Sequence, residues 1–169
     1  YTLSLHDALP ILSAAGAVLL RNQCRIVTIH GMRICVSGFV QDLDLYNRIR
    51  PGKVTAGDLA RALGDGAKQP KHTYHILIAH QPDHFDAYAQ WGADLTAAGH
   101  LHGGIIRLPL LGGVFGSSLK PFPEYDRGIF EKDGRDVKII RMIVSAGLGS
   151  HTLAVRINNP PELVLIRIV

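Results

Sequence analysis

Cysteine, basic clusters and long apolar runs are all sparse in this chain, and each shortage removes a class of protein. The longest apolar candidate, residues 8–20, falls short of the roughly 20 residues a membrane helix needs. It also contains Pro10 and has no basic lead, so neither a membrane span nor a secretory signal is expected. Lys and Arg are scattered despite a formal net charge of +4, and no run reaches the density of a nucleic-acid arm. Nucleic acid is therefore not an expected partner, although the net charge suits anionic substrates or surfaces. Gly112, Gly113 and Gly116 lack the spacing and the following Lys-Ser/Thr of a nucleotide-binding P-loop. No internal repeat, heptad or low-complexity segment occurs. What remains, 169 residues of which 47% are hydrophobic and 19% charged, fits one soluble domain able to bury a substantial core.

The chemical information is concentrated in residues 76–104, ILIAHQPDHFDAYAQWGADLTAAGHLHGG. Two short apolar runs, residues 76–79 and 93–98, each end in histidine: His80 after the first, His100 and His102 after the second. Phe85, Tyr88, Ala89 and Trp91 between them fit a short helix, so the unit reads strand, helix, strand. Such a unit has parallel strands, and sites gather where their carboxyl ends emerge. Residues two apart in extended chain project to one side, so His100 and His102 are expected to share a pocket while Leu101 turns into packing. Gly99, Gly103 and Gly104 let backbone and a bulky anionic ligand approach closely. Neutral imidazole is a good ligand for zinc, manganese or iron. A two-metal hydrolytic centre places its ions roughly 3.5–4 Å apart, so adjacent loop histidines can face different ions, with His80 joining one of them.

Ala79-His80, Gly99-His100-Leu101-His102 and the continuation Gly103-Gly104-Ile105-Ile106-Arg107-Leu108-Pro109 together resemble the carboxyl-terminal half of a calcineurin-like metallophosphoesterase. The continuation and the ending GLGSHTLAVRINNPPELVLIRIV are similar to the membrane-associated bacterial branch of that family. The resemblance implies an α/β chain forming part of a metallophosphoesterase-type β-sandwich with flanking helices (αββα). It implies metal ligation by His80 and His100 to one ion and by His102 to the other, with two divalent ions drawn from Mn, Zn, Fe or Mg. Arg107 is the nearest candidate to grip phosphate oxygens, although a plain ion pair is the commoner role for such a residue. The implied substrate is a phosphoester, of lipid-linked or nucleotide-sugar type by the branch, or a soluble nucleotide, and the implied setting is cytoplasmic or membrane-associated in a bacterium. No catalytic acid or base is assigned.

The family's other ligands come from an Asp-x-His, a Gly-Asp and a Gly-Asn-His followed by an acid. Leu5-His6-Asp7 reverses the first, and Gly57-Asp58 and Gly64-Asp65 come too late to be the second. The expectation is accordingly that residues 1–11 are a non-native leader of sequencing-adapter type and residues 12–169 the carboxyl-terminal part of one metallophosphoesterase domain. Its amino-terminal half, with any membrane anchor, would then be missing and the fragment inactive. Half a sandwich should expose apolar surface. Two rival readings stand beside it: a non-catalytic metal-binding or interaction module with one zinc on His80, His100 and His102, and a metal-free structural domain.

The scaffold reads as follows. Residues 18–20 and 25–29 are β-rich, and His30-Gly31 is a tight turn into residues 32–39, pairing Ile29 with Met32, Val27 with Ile34 and Arg25 with Val36. Val27, Ile29, Met32, Ile34 and Val36 then share a core-facing side. Cys24 and Cys35 become diagonal neighbours about 7–8 Å apart, expected to be reduced core residues that leave the redox compartment open. Asp42 and Asp44 read as loop. Thr55 caps a helix over residues 56–63 with Asp58 in a capping box, ended by Gly64. His75 reads as a satisfied sheet histidine, Asp83 as the cap of the next helix, Trp91 as helix-end packing, and His72, His84 and His151 as weak ligand candidates. Residues 110–123 form a loop at the substrate mouth, residues 125–130 and 137–145 a hairpin, and residues 162–169 a strand closing the sheet.

Overall fold

The structure, a computed structural model, describes residues 5–41, 52–66, 73–114, 121–133, 138–149 and 155–167. Asp42, Asp44, His72, His151, the turn at residues 134–135 and the middle of the 110–123 loop lie outside them. After α1 (Leu5–Ala14), which carries Pro10 inside it, β1 (Gln23–Ile29) and β2 (Met32–Phe39) form a hairpin in the anticipated register. His30 and Gly31 have φ of 48° and 79°, the left-handed pair that a two-residue turn matched to strand twist requires. In α2 (Ala56–Leu63) both hydrogen bonds of the Thr55–Asp58 capping box form, and Gly64 at φ 80° ends the helix.

From β3 (Thr73–Ala79) the chain passes through a 3-10 turn, Pro82–His84, into α3 (Phe85–Trp91) and then β4 (Leu95–Ala98). A small hairpin of β5 (Arg107–Leu108) and β6 (Gly112–Gly113) follows, and then β7 (Gly128–Asp133) and β8 (Ile139–Val144). The fold is mixed α/β. Its six-stranded sheet runs β1-β2-β3-β4-β8-β7, with β2, β3, β4 and β8 parallel and the two edge strands antiparallel. Among the described residues no helix is long and apolar enough to cross a membrane.

One face of the sheet is covered. Leu77 and Ala79 of β3 pack against Leu59 of α2 and Tyr88 and Trp91 of α3, and Phe85 and Ala89 of α3 pack against Ile140, Met142 and Val144 of β8. Each large side chain so buried contributes roughly 1.5–3 kcal/mol. Trp91 also donates from Nε1 to the Gly64 carbonyl at 2.8 Å, fixing the end of α3 to the end of α2. On the opposite face Ile29, Met32, Ile78, Ile129 and Ile139 are exposed.

Six expectations change. The face of β1 and β2 that carries Val27, Ile29, Met32, Ile34 and Val36 is the uncovered one: Ile34 is buried, but Ile29 and Met32 are open to solvent, because both helices pack on the other side. Cys24 and Cys35 are joined in a disulfide, their Cα atoms 6.4 Å apart. The register is the expected one, but this diagonal is shorter than the roughly 7–8 Å of an ideal pair and falls within disulfide range. Residues 18–20 form no strand and residues 162–167 none either; the latter leave Leu163 and Leu165 exposed. Asp83 caps no helix, since Pro82 draws it into the middle of the 3-10 turn and α3 starts without a side-chain cap. His75 is buried as expected but unsatisfied, with neither ring nitrogen hydrogen-bonded.

Beside His75 the start of the parallel pair is locked by Asp94. Its Oδ2 accepts from the His75 backbone N–H at 2.7 Å, its own N–H donates to the His75 carbonyl at 2.9 Å, and Lys138 pairs with Oδ1. That lock sits at the amino ends of β3 and β4, opposite the rim where the other histidines gather.

Candidate functional site

The carboxyl ends of β3, β4 and β8 meet at one rim, each continued by a loop. His80 follows β3 directly, and its carbonyl accepts from the Gly99 N–H at 3.3 Å, while the Ser145 N–H after β8 donates to the Ala98 carbonyl at 3.0 Å. These bonds carry the register of the sheet a step beyond its strands. Across the first gap, His100 Nδ1 lies 2.9 Å from His80 Nε2, with the rings nearly perpendicular and their centres 4.7 Å apart. His102 comes from the same loop, and its Nδ1 lies 3.1 Å from the carbonyl oxygen of Gly149 in the turn after β8.

The loop reaches this arrangement differently from the extended chain anticipated. His100 and His102 have φ of 66° and 50°, and Gly103 and Gly104 follow at 73° and 86°. Left-handed backbone costs a non-glycine residue about 1–2 kcal/mol and persists only where the surroundings over-determine it. Here they do. Leu101 is buried as expected and anchors the loop; its N–H donates to the Gly99 carbonyl and its carbonyl accepts from Gly104, both at 2.8 Å. Asn159, also buried, donates from Nδ2 to the His102 and Gly104 carbonyls, each at 2.6 Å.

Electrostatics at the rim favour neutral imidazole. The pKa of His80 is lowered, first by partial burial and second by the nearby His102; a ring held neutral keeps a lone pair for a ligand. His84 is buried against Tyr88 and its pKa is also lowered by burial, against the opposing pull of Asp83. It contacts Tyr88 and is not joined to the His80–His100 pair by any described hydrogen bond. Among the described residues no group of three or more His, Cys, Asp or Glu side chains is disposed to hold a metal ion. The rim therefore brings His80 and His100 into direct contact and sets His102 beside them, turned toward Gly149.

Arg107 is engaged elsewhere. Its Nη1 donates to Asp126 Oδ2 at 2.7 Å, and the same oxygen accepts from the Gly113 N–H at 2.7 Å. This pairing ties the β5–β6 hairpin to the approach to β7. The apolar tip of that hairpin, with Leu108, Leu110 and Leu111 exposed, borders an open groove of about 450 Å³ that also touches Arg107 and Asn158.

The residues that hold the rim belong to no motif. Arg156 donates from Nη2 to the Ala146 carbonyl at 2.8 Å, the Gly147 carbonyl at 3.2 Å and the Gly149 carbonyl. Glu162 accepts from Arg127 Nε at 2.9 Å and from the Ala146 N–H at 3.0 Å. With Asn159 they come from one stretch, VRINNPPE at residues 155–162. Its two consecutive prolines preclude helix and sheet interior, which was a signal that the polar residues around them had some other task. No family model, no curated protein and no solved structure matches the chain.

Proposed function

We propose that His80, His100 and His102 are the imidazole part of a divalent-metal site in a phosphoester hydrolase of the calcineurin-like metallophosphoesterase kind. The observation that carries this reading is the 2.9 Å between His80 Nε2 and His100 Nδ1. In the metal-free chain this is a hydrogen bond between the two rings; nitrogens about 2.0–2.1 Å from one ion stand roughly 2.9 Å apart at right angles and roughly 3.3 Å apart on tetrahedral zinc, so exchanging the shared proton for a cation asks for a movement of at most about 0.4 Å. In this reading His102 would serve a second ion. The uncovered apolar face supports the αββα expectation, because it is the face a second sheet would cover.

In this reading the chain's own residues bind and orient. One of the two facing nitrogens of His80 and His100 donates to the other in the metal-free chain, and a bound cation would take the place of that shared proton; Gly103 and Gly104 keep side chains away from the rim; the exposed leucines of the β5–β6 hairpin would suit the apolar part of a lipid-linked or nucleotide-sugar substrate. Two divalent ions drawn from Mn, Zn, Fe or Mg would supply Lewis acidity toward a phosphoryl oxygen and a more acidic water. Arg107 contributes through the positioning of the hairpin while it remains paired with Asp126.

A second reading, a metal-binding module without hydrolysis, is favoured by one observation: no carboxylate joins the histidines in a metal-holding group among the described residues. Metal content after dialysis against manganese or zinc, measured beside hydrolysis of an aryl phosphodiester, separates the two. Metal retained together with turnover supports the hydrolase; metal retained without turnover supports the binding module. A chain that takes up no metal, or whose uptake survives His80→Ala combined with His100→Ala, overturns both.

A further inference from the structure

We propose that Asn159 and Arg156 are positioning residues for His102, fixing its backbone from one side and its ring tautomer from the other. Asn159 is 2% exposed, and both partners of its Nδ2 are carbonyl oxygens. A carbonyl can only accept, so the orientation of the amide is fixed by its partners. The two bonds straddle Gly103, where an added Cβ would stand 2.7 Å from Asn159 Oδ1. Loop and asparagine therefore fit each other only with glycine between them.

The ring is held from the far side. Gly149 offers His102 Nδ1 a carbonyl oxygen, which carries no hydrogen, so Nδ1 bears a proton, and whenever the ring is neutral the lone pair falls to Nε2. That carbonyl is aimed by Arg156, whose planar guanidinium gathers the carbonyls of Ala146, Gly147 and Gly149 into one fork. Both residues lie on one segment, docked by bonds from the Ile157 N–H to the Ile105 carbonyl at 2.9 Å and from the Arg107 N–H to the Ile157 carbonyl at 3.0 Å. The consequence for metal binding rests on the function proposed above; the tautomer does not.

The test is nitrogen-15 NMR of the imidazoles in the whole, metal-free chain at mildly alkaline pH, followed by zinc titration. In the unsubstituted protein His102 should show a protonated Nδ1 and an unprotonated Nε2. Arg156→Lys, which keeps the charge and loses the fork, and Asn159→Ala should each move His102 toward the tautomer mixture of an unconstrained imidazole. Each should also weaken zinc binding about 10–100-fold, the usual cost of losing an outer-shell partner. Finding His102 protonated at Nε2 in the unsubstituted chain, or unchanged tautomer populations in folded Arg156→Lys, overturns the proposal. If Asn159→Ala fails to fold, those two measurements still decide. If no zinc binds while the tautomers behave as stated, the metal reading falls and the positioning roles stand.

Discussion

His80 and His100 leave different strands, yet their rings meet with 2.9 Å between Nε2 and Nδ1. In the parallel register Ile78 is level with Ala97, so straight continuation would bring His80 level with Gly99, and the Gly99 to His80 backbone bond shows that it does. The left-handed φ of 66° at His100 then turns the chain so that the ring reaches back across the gap. The pair is thus a product of strand register plus one unfavourable backbone angle.

That angle separates stability from binding at position 100. Glycine adopts φ near 66° without a Cβ penalty and alanine does not, so His100→Gly should be more stable than His100→Ala by about 1 kcal/mol. Both should lose zinc or manganese uptake alike. Urea denaturation with metal analysis of the two variants checks this; equal stabilities would mean that the loop relaxes out of the left-handed region once the ring is gone.

The two faces of β3 should respond very differently to truncation. Leu77 is fully buried against α2 and α3, and Leu77→Ala is expected to cost about 2–5 kcal/mol. Ile78, the next residue, is half exposed on the uncovered face, and Ile78→Ala should cost less than about 1 kcal/mol. Denaturant midpoints of the two variants decide, and comparable losses would show that the face bearing Ile78 is covered in solution.

Buried neutral histidines make the fold acid-sensitive. Burial lowers the pKa of His75 from the ordinary 6.5, with Asp94 opposing and Lys138 reinforcing the shift, and burial likewise lowers that of His84. Below 6.5 the unfolded chain therefore binds more protons than the folded one, so stability is full above that value and falls as the pH drops below it. His75→Leu removes one such group and should flatten the acid side of a stability profile followed by urea midpoint. A variant that tracks the parent protein at every pH would locate the sensitivity elsewhere.

Reduction of the Cys24–Cys35 disulfide should loosen the β1–β2 edge without dissolving the sheet. The residues are 11 apart in sequence, and a closed loop of that order contributes at most about 3 kcal/mol through the unfolded state. Thermal unfolding with and without a thiol reductant should show a lower midpoint on reduction. Zinc uptake should be unaffected, since the rim lies on other strands.

What the sequence disclosed and what it hid follow from the range of the forces involved. The His30-Gly31 turn, the Thr55 cap and the helix between His80 and His100 are set by neighbours a few residues apart, and each was legible. The parallel pairing of β3 and β4 was legible because the connection fits one short helix. The covered side of the β1–β2 hairpin was not, since alternation shows that two faces differ without saying where the helices will lie. The diagonal cysteines failed on a distance of about 1 Å, which pairing register alone does not fix. Asn159, Arg156 and Glu162 were hidden because the backbone groups they hold at the rim lie 7 to 57 positions away and leave no mark of side-chain type.

The dependence of the rim on main-chain oxygens has a further implication for tolerance to change. His102, Gly104, Ala146, Gly147 and Gly149 serve Asn159 and Arg156 through carbonyls that every amino acid possesses, whereas the donors are two particular side chains. In a saturation library selected for a working rim, intolerance should therefore be lopsided: severe at 156 and 159, severe at 103 for want of room, and lenient at 146, where a small replacement keeps the same oxygen.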